Sequence, residues 1–154
     1  MNVALILGRV LFVFVFILSG VQKLLDVQGT ADQIAAKVLL PGAMTAYTPQ
    51  LEAATGLTTP YMLAILVIAV EIGAALMIAA NLGARAAAVL LILFTLAATW
   101  YFHPFWTMEG ADRQANMIQA LKNLSLIGGL LIIFAVGSWR PGYDRYSEAA
   151  TERL

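Results

Sequence analysis

Residues Thr59 to Ala80 read TPYMLAILVIAVEIGAALMIAA, an apolar run broken by one ionisable residue, Glu71. At about 1.5 Å of rise per residue, a helix of that length crosses the hydrocarbon core of a bilayer. Three further runs have the same character: Val3 to Leu25, Ala84 to Phe102 and Ala115 to Val136. The chain is 61% hydrophobic and 12% charged, with mean hydropathy +0.84. A water-soluble domain with that balance lacks the polar surface to cover itself. The reading is an all-α integral membrane four-helix bundle, a single domain over residues 1–154, with a tail at 137–154. Ser19-Gly20 near the end of the first run is reminiscent of a cleaved signal. The run has no basic start and no A-x-A site, and it exceeds a signal's apolar core, so a retained helix is expected.

Composition narrows the chemistry. The absence of cysteine removes disulfides, thiol relays, iron–sulfur ligation and thiolate zinc sites. The single histidine, His103, cannot supply bis-histidine haem ligation, and no metal site is expected. A net charge of zero gives no footprint for nucleic acid. Redox chemistry therefore has to be borrowed from a bound cofactor or a partner chain.

An even number of spans puts both termini on one side of the membrane. That side receives Arg85, just after the short turn Asn81-Leu82-Gly83, and Arg140, Arg145 and Arg153 of the tail; the other side receives Lys37 and Arg113. The excess of arginine predicts that both termini are cytoplasmic. The first loop, Asp26 to Thr58, is too long for a simple connector. Within it, Thr30-Ala31-Asp32-Gln33 ahead of Ile34, Ala35, Val38 and Leu39 predicts a short N-capped amphipathic helix stopped by Pro41-Gly42. Ile34 and Val38 share its apolar face, and the segment serves either as a lid over the mouth of the bundle or as a surface connector. Trp100 to Trp106 reads as an interfacial aromatic belt with Pro104 marking the exit from the third helix. Trp139-Arg140-Pro141-Gly142-Tyr143 reads as an anchor and turn before a solvated tail.

Ionisable residues inside the spans carry the functional signal. Arg9, Phe16, Gly20 and Lys23 share one face of the first helix, and Gln119, Lys122, Ser125 and Gly129 form a second stripe with Asn123 about a quarter-turn aside. Each central charge costs about 2.5–3.5 kcal/mol on insertion scales. They are expected to face inward, with Glu71 reaching Arg9 or Lys122. Two readings stay open. An ion pair fixes helix register while Lys23 extends outward, or the charges line a polar cavity that holds a ligand or conducts protons.

Taken in order, Arg9 with Phe16-Ile17-Leu18-Ser19-Gly20-Val21-Gln22-Lys23-Leu24, then Val70-Glu71-Ile72-Gly73-Ala74-Ala75-Leu76, Gly83-Ala84-Arg85, and Leu121-Lys122-Asn123-Leu124 with Gly128-Gly129-Leu130, resemble the DoxX family. The resemblance covers all four helices. It implies a four-helix protein of the bacterial cytoplasmic (inner) membrane with both termini inside. Relatives of that kind include a quinone-linked thiosulfate oxidoreductase subunit and a component of a mycobacterial membrane oxidoreductase complex, so activity carries over only by analogy.

The leading expectation is a membrane subunit of a quinone-linked oxidoreductase, not catalytic alone, working with other membrane or periplasmic subunits in the lipid bilayer. Glu71 is the candidate proton acceptor, and Arg9 or Lys122 the candidate cation that stabilises charge on a quinone oxygen. Phe16 and Trp106 are candidates for ring stacking, and Lys23, Asn123 and His103 for the pocket or its outer mouth. No covalent cofactor is expected; quinone is the non-covalent candidate. The alternative, from a different class, is a non-catalytic accessory subunit that stabilises a larger membrane assembly. A transporter or proton path around Glu71 is a third, less favoured reading.

Overall fold

The structure, a computed structural model, describes residues 3–138, and every regular element among them is helical. In chain order these are α1 (Val3–Leu25), α2 (Val27–Lys37), α3 (Gly42–Thr45), α4 (Thr48–Thr55), α5 (Thr59–Ala79), α6 (Ala84–Phe102), a 3-10 turn (Phe105–Thr107) and α7 (Gly110–Val136). The four long helices, α1, α5, α6 and α7, are each long and apolar enough to cross a membrane. α7 begins five residues before the expected Ala115, because the polar segment from Gly110 continues the helix outward beyond the apolar run. The anchor and tail expected after Ser138 lie outside the described residues.

What these helices bury differs from what they show. Their outward faces carry the large apolar side chains, such as Leu11, Phe14, Leu93 and Ile132. The interior is rich in alanine: Ala64, Ala74, Ala75, Ala84, Ala87 and Ala88 are all buried. In hydrocarbon there is no hydrophobic gain in hiding leucine from lipid, so helices associate through small residues that permit close packing. α1 packs on α5, α5 on α6, and α6 on α7, forming an arc. Its two ends, α1 and α7, are not among the principal helix pairs. α1 and α5 approach closely at Gly20, where an added Cβ would lie 2.5 Å from Ile72 Cγ1 of α5.

The first loop is folded, and more of it than the sequence predicts. α2 starts directly after α1, with Asp26 rather than Thr30 as its cap; Asp26 Oδ1 accepts from the Gly29 N–H at 2.8 Å. Thr30 instead lies inside the helix and donates its hydroxyl to Asp26 O. A carboxylate at the first available position is the stronger acceptor for an orphan N–H, which moves the start of the helix four residues upstream. The expected apolar face forms: Ala31 and Ile34 are buried against Ala64 of α5, with Val38, Tyr61, Leu63 and Phe102 packed around them. α2 is therefore a wall of the bundle and not a free connector. α3 and α4 have no strong apolar periodicity and were not expected. α4 serves the next span, since Glu52 Oε1 accepts from the Thr59 N–H at 2.7 Å. The Thr59 N–H and hydroxyl hold the Glu52 carboxyl below its ordinary value of 4.5.

The opposite end of the bundle is fastened by helix C-termini. α5 closes with Asn81 in the left-handed region (φ 59°), and the N–H groups of Asn81 and Leu82 bond back to Ile78 O and Met77 O. That Schellman geometry is one that asparagine tolerates. Arg9, buried on α1, donates to Asn81 Oδ1 and to Gly137 O, just past the end of α7. Arg85 adds a bond from Nε to Phe134 O in the last turn of α7. Both guanidinium groups thus meet carbonyls at the negative ends of helix dipoles.

Candidate functional site

Glu71 is 2% exposed and accepts a hydrogen bond from Lys23 Nζ at 2.7 Å. Lys23 Nζ also donates to Ser19 Oγ, one turn back on α1, and lies 5.8 Å from the centroid of the Phe94 ring. This corrects the expectation that Glu71 reaches Arg9 or Lys122 and that Lys23 extends outward. The cause is side-chain direction. Helical side chains lean toward their own N-terminus, and α1 and α5 are antiparallel neighbours, so Lys23 and Glu71 lean toward each other. Close packing at Gly20 brings the two backbones near enough for the bond to form.

The pair forms part of the wall of a half-open cavity of about 700 Å³, within the range of small-molecule sites. All four long helices and α2 line it. Phe16, Phe94, Tyr101 and Phe102 supply aromatic surface; Ser19, Lys23, Asn123 and His103 supply polar groups; Gln33 and Lys37 lie on the α2 side. Asn123 is positioned by donating Nδ2 to Thr99 Oγ1 at 2.8 Å. His103 Nδ1 lies 3.0 Å from Asn116 Oδ1, and the Asn116 amide donates to Asp112 O. With the Asn116 amide so oriented, its oxygen can only accept, so Nδ1 carries the hydrogen. Lys37 Nζ lies 5.3 Å from the Phe102 ring centroid and ties α2 to the end of α6.

Of the residues singled out in the sequence, Glu71, Phe16, Lys23, Asn123 and His103 converge on this cavity. Three do not. Arg9 is 14 residues before Lys23, about 21 Å along α1 at helical rise, and it fastens the opposite end of the bundle. Lys122 is exposed on α7 and donates to Gln119 Oε1 of its own helix at 3.0 Å. The face of α7 that turns inward carries Ala120, Asn123, Leu130 and Ile133 instead. Trp106 is exposed and rests on Trp100, with ring centroids 5.2 Å apart, outside the cavity. Residues that sequence reasoning missed include Ser19, Phe94, Thr95 and Tyr101. Ser19 was recoverable, because it lies one turn from Lys23. On α6 the i, i+4 pair Thr95 and Thr99 was legible as a polar face, whereas Phe94 had nothing to set it apart from the surrounding apolar run.

The chain matches the DoxX family over residues 4–104. It belongs to the DoxX family. The match runs from α1 through the end of α6, so both partners of the Lys23–Glu71 pair and the folded loop lie within the DoxX region, whereas Asn123 on α7 lies beyond it. The chain is also similar to the inner membrane protein YphA of Escherichia coli (strain K12), at 29% identity over 143 residues, 93% of this chain and 89% of that protein. No solved structure matches it. As a DoxX membrane protein with four apolar spans, the chain sits in a lipid bilayer.

Proposed function

We propose that this DoxX protein is a membrane subunit of a quinone-linked oxidoreductase, and that the cavity beside Lys23 and Glu71 holds the quinone ring. The observation that carries the reading is an ion pair with one fully buried partner facing open space instead of packed side chains. Intramembrane charge kept only for packing has no need of a cavity. The lining suits a flat ring with polar edges: Phe16 and Phe94 offer faces for it, and Lys23 and Asn123 offer N–H donors for its oxygens. When bound, a quinone supplies the electron-carrying chemistry that the chain's own residues lack.

The residues divide the remaining work. Lys23 holds a cation beside a ligand oxygen, and Ser19 and Glu71 fix that ammonium in place. Glu71 is the group positioned to exchange a proton with the ligand, and His103 stands where the cavity opens toward the loop between α6 and α7. α2 covers the outer side. Partner subunits carry the electron source, and both termini face the cytoplasm. A second reading, an accessory subunit in a larger assembly, draws on the exposed polar stripe Gln119, Lys122 and Ser125 of α7, which a partner chain can satisfy.

Mass spectrometry of the protein extracted gently from its native membrane tests both. Retained quinone, together with a stoichiometric partner bearing flavin, haem or metal-binding motifs, is the expected result. A partner with its own complete quinone site, and no quinone attributable to this chain, overturns the first reading and favours the second.

A further inference from the structure

α1 and α7 close the ends of the helical arc across a seam made by side chains. Two cavities reach the seam. The upper one is the 700 Å³ site, whose lining includes Val15 and Gln22, both on the exposed side of α1. The lower one, about 240 Å³, is lined among the described residues by α1 and α7, including Gly8, Phe12, Gly129 and Ile133. Among the described residues Arg9 is its one polar side chain; its two terminal nitrogens are bonded to Asn81 and Gly137, and its Nε has no hydrogen-bond partner. Apart from Arg9 the lining is apolar, and it suits apolar matter.

The two cavities are separated by a pair of rings. Phe16 lines the upper cavity and Phe12 the lower, and their centroids are 6.2 Å apart. Phe12 rests on the backbone of α7 at Gly129, where an added Cβ would lie 2.3 Å from Phe12 Cε2. Only glycine lets the ring lie there. The partition is therefore made of two aromatic side chains of α1, and a side chain changes rotamer far more readily than a packed helix moves.

We infer that the α1–α7 seam is a groove for an apolar tail, so that the ligand of the upper cavity is an amphiphile that enters sideways from the bilayer, its head beside Lys23 and Glu71 and its tail running past Phe12 into the lower cavity. This rests on the quinone reading and deepens it: the substrate class is a long-tailed membrane quinone, not a water-soluble ring. The tail leaves one apolar medium for another, so its contribution comes from packing in the groove and not from the hydrophobic effect. Gly8 opens on the lower cavity with no heavy atom within 4 Å of an added Cβ, which makes it the place to fill the groove without touching the head site.

The test titrates wild type, Gly8→Leu and Gly8→Phe in nanodiscs with a long-tailed benzoquinone and with the same ring lacking a tail, reading bound quinone directly. The expected result is about tenfold weaker binding of the long-tailed quinone in Gly8→Phe, a smaller loss in Gly8→Leu, and unchanged binding of the tail-less ring, which also shows that the variants are folded. Equal weakening of both probes, or of neither, overturns the tail groove and leaves the quinone reading standing, the lower cavity then being filled by a bilayer acyl chain whatever the head. If wild type binds neither probe, both fall.

Discussion

The two ends of the bundle each hold a cation from the same stripe of α1, and they treat it in opposite ways. At one end Arg9 is held by neutral acceptors, the Asn81 carboxamide and the Gly137 carbonyl, at the closed tips of α5 and α7. At the other, Lys23 is held by a carboxylate and a hydroxyl on the wall of a 700 Å³ cavity. The first arrangement uses a charge as a fastener: two guanidinium nitrogens meet the Asn81 and Gly137 oxygens, and helix dipoles stabilise the cation with no counter-charge among the described residues. The second leaves an ammonium 28% exposed beside an acid 2% exposed. A charged group that merely joins helices gains nothing from standing open to a cavity, whereas one that meets a ligand requires it.

The largest effect should come from breaking the pair at its exposed partner. Lys23→Met leaves Glu71 buried beside apolar groups and is expected to cost about 3 kcal/mol, the lower end of the range for a broken buried pair because Lys23 is partly exposed. Chemical unfolding in detergent reads the loss, and Lys23→Met with Glu71→Gln should recover most of it. Gly20→Val tests the approach that brings the pair together. Its side chain would be driven into Ile72, at a cost of about 2 kcal/mol, within the usual range for overpacking.

At the fastener, Arg9→Lys keeps the charge but cannot reach both acceptors with the same geometry. It should cost about 1.5 kcal/mol while leaving the binding of a tail-less quinone ring at the Lys23–Glu71 cavity unchanged, a separation that a stability assay and a binding assay on one preparation will show. Loss of binding in that variant would join the two ends that the comparison keeps apart. The smallest effect belongs to the exposed cap on α5. Because the folded Glu52 carboxyl titrates below its ordinary value of 4.5, its contribution is full above pH 4.5 and disappears as the pH falls through the lowered value. Wild type should therefore be slightly more stable than Glu52→Gln at neutral pH, and the difference should shrink toward zero in acid.

Much of this could be read from the sequence, and what could not has a physical cause. The four spans follow from apolar length, and the inward stripe Arg9, Phe16, Gly20 and Lys23 from helical periodicity; Arg9, Phe16 and Gly20 are buried. The partner of Glu71 was misplaced because depth was judged from residue position, while the lean of side chains on antiparallel helices moves a lysine head and a carboxylate by several residues' rise. The rotation of α7 was misjudged for a different reason. Both lipid and bundle interior are apolar, so a membrane helix has little amphipathic contrast to say which face turns in. Lys122 is on the exposed face, and its side chain leans toward the N-terminal end of α7, where it bonds Gln119.

One titration bears most directly on the contrast between site and fastener. Ala98 of α6 lines the upper cavity, and Ala98→Trp fills that cavity while leaving Arg9, Lys23 and Glu71 in place. Quinone binding measured in nanodiscs for wild type and Ala98→Trp, with unfolding followed on the same samples, is predicted to show saturable binding by wild type and at least about a tenfold loss in the variant at similar stability. Equal binding by both proteins, or none by wild type, would contradict the assignment of the Lys23–Glu71 cavity as the ligand site.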